Sequence, residues 1–422
     1  MHKINNKLLI FFFGYLFFML GFFLNENSSG GALPDYNHHF KVMLSFKEDL
    51  RDSLINYHIF KTDHSPLFIY SLLIIYNLLE NEFFLRFLYS HLGLLVPFLL
   101  FKCLKLEFQS ISTDKLLLFS FVILLSPFLR SLSYWPGSEI ISLIFLLMSI
   151  YFYLNFKKNN RLFYNVFLNI FFLAVSAYYK PVFSIFSLFF FYEFFKILGI
   201  SKKLFLIMIL NIFLSLPAFY FLFFVNDYLF KFMSSDSSIY YFNIANIILI
   251  VTSIIVFHLL FLSSHIYFEK KLFFSTFSKF QVILILLFVF LLSIYFNFDV
   301  NQLGYGGGFF LKISNLFFKN NYLFYFVCFF GMILILNLIK INFYKHLVLI
   351  ICLFLQNPHN YFYHEYFEPL ILIVFLTLFD RKLSVSYFNK NLNLISLYLF
   401  YTLFFLMNLI KNTDIFLNNV IN

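Results

Sequence analysis

The stretch Gly30-Gly31-Ala32-Leu33-Pro34-Asp35-Tyr36-Asn37-His38-His39 puts one carboxylate and two imidazoles within a few residues of each other, directly after an apolar run from Leu8 to Leu24. A carboxylate so placed can take a proton from a hydroxyl, and an imidazole can hold or relay one. Pro34 pre-sets the backbone for a first helical turn, and residues three and four apart on a helix are neighbours. On that spacing Asp35, His38 and His39 are read as sharing one face. An acid in a first helical turn also answers the positive end of the helix dipole, so the residue types fit a proton acceptor and a dipole partner equally.

Four further segments carry ionisable groups beside apolar runs. In Thr62-Asp63-His64-Ser65-Pro66, Ser65 reads as a helix cap and Pro66 as the first helical residue, leaving Asp63 and His64 just outside an apolar helix. Between Ser126-Pro127 and Glu139 stand the chain's one tryptophan, Trp135, and Arg130, a permanent cation whose forked donors suit phosphate. Trp and Tyr there also serve as interfacial anchors, and Glu139 opens the following helix. Lys180 precedes Pro181 at a helix break. In Asn357-Pro358-His359-Asn360-Tyr361-Phe362-Tyr363-His364, Asn357 and Pro358 read as a cap and a first helical residue, so that His359, Tyr363 and His364 face one site. Gly304-Tyr305-Gly306-Gly307-Gly308 lacks the strand, the lysine and the spacing of a phosphate-binding loop, and reads as a flexible outer loop or a close backbone approach to a ligand. Cys103, Cys328 and Cys352 are far apart, with neither metal spacing nor a disulfide framework.

The elements that position these groups are lipid-solvated. Of 422 residues, 62% are hydrophobic and 12% charged, and the mean hydropathy is +0.85. Backbone polar groups in hydrocarbon must pair within their own segment, so long apolar runs mean helices, and no short alternating strands of a barrel are seen. The expected fold class is all-α, a polytopic membrane protein of about 11–13 transmembrane helices. After Leu8 to Leu24, kept as a span because no cleavage site follows it, apolar stretches cover about 83–101, 115–129, 138–156, 162–179, 182–198, 204–225, 244–268, 280–296, 322–340, 345–356, 367–379 and 394–410. If the short segment 66–79 is re-entrant, every basic loop falls on the side of Lys3 and Lys7, the cytoplasm. That tendency also accounts for the net charge of +10 without nucleic acid. The 73 phenylalanines follow from an AT-rich coding bias and lipid contact. The chain reads as one membrane domain: a first outer loop at 25–65, core helices at 66–200, and further spans at 201–422 with outer loops at 297–321 and 356–369. In the first outer loop, Phe40, Met43, Leu44, Lys47, Leu50 and Leu54 recur at helical spacing, predicting an amphipathic juxtamembrane helix.

Taken in order, Pro34-Asp35-Tyr36, His64-Ser65-Pro66-Leu67-Phe68, Ser126-Pro127 through Glu139, and Tyr366-Phe367-Glu368-Pro369 resemble segments of the GT-C superfamily of membrane glycosyltransferases. The likeness is to its arabinose-, mannose- and glucose-transferring branches and is best over residues 30–200. Many relatives carry Asp-Glu where this chain has Asp35-Tyr36, and Asp is commoner at the position of Glu139. The resemblance implies an inverting enzyme that moves a sugar from a polyprenyl-phosphate donor to a hydroxyl of a glycan, lipid or protein, on the outer face of a bacterial inner membrane. It implies Asp35 as general base and Arg130 and Lys180 as cations for the leaving phosphate. His64, His359 and His364 would assist, Glu139 would orient Arg130 or the acceptor, and His38, His39, Asp63 and Tyr363 would complete the substrate site. It calls for no cofactor besides the lipid-linked donor; a divalent metal is compatible, but the missing second acid removes its usual support. Two other classes are open: an O-antigen-type polymerase, which favours a large late outer loop bearing Arg, and a lipid-linked-sugar flippase or transporter, which favours mid-span ionisable groups and internal repeats.

Overall fold

The structure, a computed structural model, describes residues 6–62, 64–159, 162–226, 243–268, 277–298, 308–357 and 361–421. Among them the regular structure is helical and no strand occurs. Among the described residues six helices are long and apolar enough to cross a bilayer, Glu82–Glu107, Ser138–Lys158, Pro181–Leu198, Lys202–Val225, Tyr322–Ile341 and Asn391–Asn412, and up to eight if each of two bent pairs is counted as one span. Shorter apolar helices accompany them. The chain is an all-α, multi-pass membrane protein.

Two compact units divide it, one of Met1–Lys231 with Tyr398–Asn422, the other of Phe232–Leu397. In the first, α1 (Asn6–Phe23) leads through a tight turn into α2 (Ala32–Glu48) and the short α3 (Leu50–Ile55). Next come α4 (Pro66–Tyr76), α5 (Glu82–Glu107), α6 (Thr113–Phe121) and α7 (Pro127–Tyr134). The long α8 (Ser138–Lys158) and α9 (Tyr164–Tyr179) pack along each other, and α10 (Phe186–Leu198) and α11 (Lys202–Tyr220) complete the set. At about 1.5 Å per residue, the 11 residues of α4 span roughly half a hydrocarbon core, which suits a segment that does not cross. Helix α11 keeps little of its apolar surface inside the protein; Phe205, Ile209, Ile212, Phe213 and Leu216 are exposed, as a lipid-facing span requires.

Three expectations are corrected by local chemistry. The run 115–129 is not one helix: a 3-10 turn (Val122–Leu125) ends α6, Ser126 caps Leu129 N–H at 3.0 Å, Pro127 opens α7, and the axis bends by 66°. The helix that starts near Asp35 stops at Glu48, because Asp49 adopts an extended conformation and its side chain accepts from Asp52 N–H at 2.9 Å, capping α3. Its buried stripe is Tyr36, His39, Val42, Met43 and Phe46, offset from the expected one, and Leu50 and Leu54 are exposed. The run 367–379 yields only an eight-residue helix, Leu370–Thr377, buried along its whole length inside the protein. Ser65, by contrast, caps α4 as expected, accepting from Leu67 N–H at 3.2 Å.

In the second unit, Ile244–His258 packs against Tyr322–Ile341, which also packs on Lys279–Tyr295, Phe309–Phe318 and Phe343–Phe354. Gly331 makes the first of these approaches close: a Cβ there would strike Val256 and Thr252.

Candidate functional site

Four segments meet in the first unit: the middle of α2, the residues just before α4, the start of α8 and the residue that ends α9. His39, on the buried face of α2, lies edge-on to His64, with ring centroids 4.1 Å apart. Phe68, in the first turn of α4, packs edge-on against His39 at 5.2 Å and lies 6.0 Å from His64. His64 is held from both directions along the chain: its carbonyl accepts from Tyr57 OH at 2.8 Å and its N–H donates to Thr62 Oγ1 at 3.2 Å. Its Nδ1 stands 3.2 Å from the hydroxyl of Ser138, the first residue of α8. The next residue, Glu139, takes a 2.5 Å hydrogen bond from Lys180 Nζ, with both side chains about nine-tenths buried. His64 is near enough to Glu139 to act on its charge.

Local sequence explains each placement. Lys180 ends α9 because Pro181 cannot continue the helix, and its backbone N–H still reaches Ser176 at 3.0 Å. Glu139 lies in the first turn of α8, where the helix dipole favours an acid. The Trp135-Pro136-Gly137 link is fixed by Tyr89, whose hydroxyl donates to Gly137 O at 2.6 Å. Gly137 is needed there, because a Cβ would lie 2.9 Å from Glu139 Oε2 and closer still to Leu132. Tyr179 and Ser71 join α9 to α4 through hydroxyls 2.7 Å apart.

Asp35 lies one turn before His39 on α2 and is exposed, as is His38, whereas His39 is only 2% exposed. The expected common face therefore splits: adjacent residues diverge by about 100° around a helix, so His38 and His39 point apart. Next to Asp35, burial pushes the Tyr36 phenol far above its ordinary range, with the Glu82 carboxylate adding to the effect and Arg86 opposing it.

Arg130 is not part of this cluster. It is 2% exposed and spent on Glu26: Nε donates to both carboxylate oxygens at 2.9 and 3.0 Å and Nη2 to Oε2 at 2.6 Å. Nη1 donates to Leu124 O at 3.2 Å, and the Phe17 ring covers the guanidinium at 4.4 Å. The acid that pairs with Arg130 is thus Glu26, while Glu139 pairs with Lys180. Arg86 forms a second cationic centre, stacked 3.4 Å over Trp135 and donating to Asn25 Oδ1 and Tyr134 O, both at 2.9 Å.

Sequence reasoning did not single out Glu26, Arg86 or Ser138. An acid directly after an apolar run, and an arginine four residues into another, are the signals that mark the first two. Of the later candidates, His364 belongs to the second unit, where its Nδ1 lies 3.0 Å from Nε2 of the buried His258. Tyr363 is beside it and packs between Tyr361 and Tyr366. The expected helix from Pro358 falls partly on residues outside those described, and His364–Tyr366 is a single 3-10 turn. Asp63 and His359 also lie outside the described residues, as does most of 304–308; only Gly308 is seen, at φ +53° before Phe309–Phe318.

Chemically, the cluster offers two imidazoles, one carboxylate and one ammonium, with Phe68 packed against both imidazoles. Lys180 Nζ donates to Glu139, so the pair sets an ammonium directly beside a carboxylate. Comparison of the chain with models of known families, with curated proteins and with solved structures gives no match.

Proposed function

We propose that the protein is an inverting membrane glycosyltransferase that takes a sugar from a polyprenyl-phosphate carrier and attaches it to a hydroxyl acceptor at the outer face of a bacterial inner membrane. One observation carries the reading: His39, His64, Glu139 and Lys180, brought together from four separate segments, form a polar centre, and its His39 lies one turn from Asp35 on α2. A structural ion pair does not need two imidazoles beside it.

In this reaction the acceptor oxygen attacks the anomeric carbon as the bond from that carbon to the phosphate oxygen breaks, and the electron pair leaves with the phosphate. Asp35 takes the acceptor proton, an effect worth ~10²–10⁴-fold. Lys180 and His64 donate to the phosphate as its charge grows, and Glu139 holds the ammonium in place. Arg130 has no part in binding the phosphate here, because its donors are committed. The apolar surfaces of the spans would carry the polyprenyl tail. Purified protein in lipid, given a panel of polyprenyl-phosphate sugars and simple acceptors, tests the proposal: wild type forms glycosidic product and Asp35→Asn does not.

A second reading, a lipid-linked-sugar flippase, is favoured by one feature. Glu193 is buried within the α10 span and accepts a hydrogen bond from Tyr153 OH of α8, and ionisable groups inside spans often mark a transport path. Movement of intact donor across vesicles without bond cleavage would favour it.

A further inference from the structure

The turn between α1 and α2 is held more firmly than its connecting role requires. Glu26 is buried on Arg130 by three charge-assisted contacts. The same carboxylate accepts from Ser28 OH at 2.8 Å, and the Glu26 carbonyl accepts from Trp135 Nε1 at 3.0 Å. Ser29 N–H then donates to Ser131 Oγ at 2.8 Å, and Asn412 of the last helix reaches Ser28 O at 2.5 Å. Three residues later α2 begins, and Asp35 stands in its first turn. Helix α2 also packs directly on α7, the short helix that carries Arg130 and Ser131, and Tyr36 meets Trp135 with ring centroids 5.9 Å apart. Even α1 is cut to fit: a Cβ on Gly21 would strike Arg130, Glu26 and Tyr134.

A buried ion pair is a poor way to gain stability, because desolvating two charges offsets most of their attraction; its best-attested use is to fix one arrangement over others. Here the arrangement fixed is the register of α2 against α7. We infer that Glu26 and Arg130 are positioning residues that fix α2, and with it Asp35, one turn before the His39 of the His39–His64–Glu139–Lys180 centre. This inference rests on the role given to Asp35 above. Neither residue touches the substrate. Each acts through the turn 25–31.

The test separates position from chemistry. Spin labels are placed at Asn37→Cys, exposed on α2, and Leu95→Cys, exposed on α5; the three native cysteines are buried. Their distance distribution is measured in lipid with Glu26 intact, with Glu26→Gln, and with Ser131→Ala. The last variant loosens the same latch without leaving a lone buried charge. With Glu26→Gln the distribution is expected to widen at least twofold, and Ser131→Ala to widen it less in the same direction. Alongside, kcat for sugar transfer should fall ~10- to 100-fold with KM nearly unchanged, the signature of a misplaced group, and Glu26→Asp should recover part of it. An unchanged distribution in both variants overturns the positioning inference whether or not any sugar is transferred. Widening with full transfer activity overturns the link from the latch to Asp35. If no donor is turned over even by wild type, the glycosyltransferase reading fails while the distances still decide whether the latch sets α2.

Discussion

Replacing Lys180 by methionine removes the ammonium from a pair in which lysine and glutamate side chains are 10% and 11% exposed. Glu139 would then be a buried carboxylate with its hydrogen-bonding cation gone, and breaking a buried pair from one side costs about 3–5 kcal/mol. Methionine fills nearly the same volume, so the cost is electrostatic and not a cavity. Glu139→Gln alone leaves a buried ammonium and should cost a similar amount, while the double variant leaves neither charge and should regain most of the loss. With single losses of about 3–5 kcal/mol each, a double variant that regains most of the loss corresponds to an interaction energy of roughly 4 kcal/mol or more. The assay is equilibrium unfolding of the protein in mixed micelles by a denaturing detergent, for wild type, both single variants and the double. Single variants that each cost less than about 1 kcal/mol, the range of a solvated surface pair, would refute the reasoning, because the centre would then be wet and its ions independent.

Further outcomes follow from the same structure. Gly21→Ala would normally favour a helix by about 1 kcal/mol, but the added methyl meets the Arg130–Glu26 pair and should cost ~1–3 kcal/mol on the same unfolding scale. Asp380 caps the helix Arg381–Asn389; burial raises its pKa, but Lys382 N–H at 2.9 Å, Asn342 Nδ2 at 3.2 Å and nearby Lys345 and His346 outweigh this and hold it below the usual range. Its stabilisation is therefore full above the unfolded carboxylate's pKa of about 3.9 and lost as pH falls through the lower folded value. Asp380→Asn should flatten that acid limb and lower stability at neutral pH, where the charge contributes fully, so that the two proteins converge in acid, as read by unfolding from pH 2 to pH 7.

How far the sequence could be read differs between fold and site, for physical reasons. Apolar run length reports on lipid solvation, which acts on each segment separately, so the helical class and most long spans could be read from residues alone. Breaks within runs were harder. Ser126-Pro127 marks one plainly, but it reads as the end of a span as easily as a bend inside one. The eight-residue helix at Leu370–Thr377 shows the opposite failure, because an apolar run buried in protein looks the same as one bathed in lipid. His39, His64, Glu139 and Lys180 each stood out by type and setting, but their meeting is tertiary and no spacing encodes it. Arg130 shows the limit most clearly. A forked cation near an outer turn suits phosphate, and only the partner 104 residues away, Glu26, reveals that its donors are already committed. The amphipathic face of α2 was misplaced because Tyr36 and His39, polar by type, are the residues it buries.

The central claim is that Asp35 removes the acceptor proton in a sugar transfer. The most direct measurement is single-turnover transfer from a radiolabelled polyprenyl-phosphate sugar by wild type and Asp35→Asn, in the same lipid and with donor binding measured in parallel. Unchanged donor binding with transfer slowed ~10²–10⁴-fold is the predicted result. Transfer by the asparagine variant at near the wild-type rate, or no transfer by wild type from any donor of the panel, would contradict it.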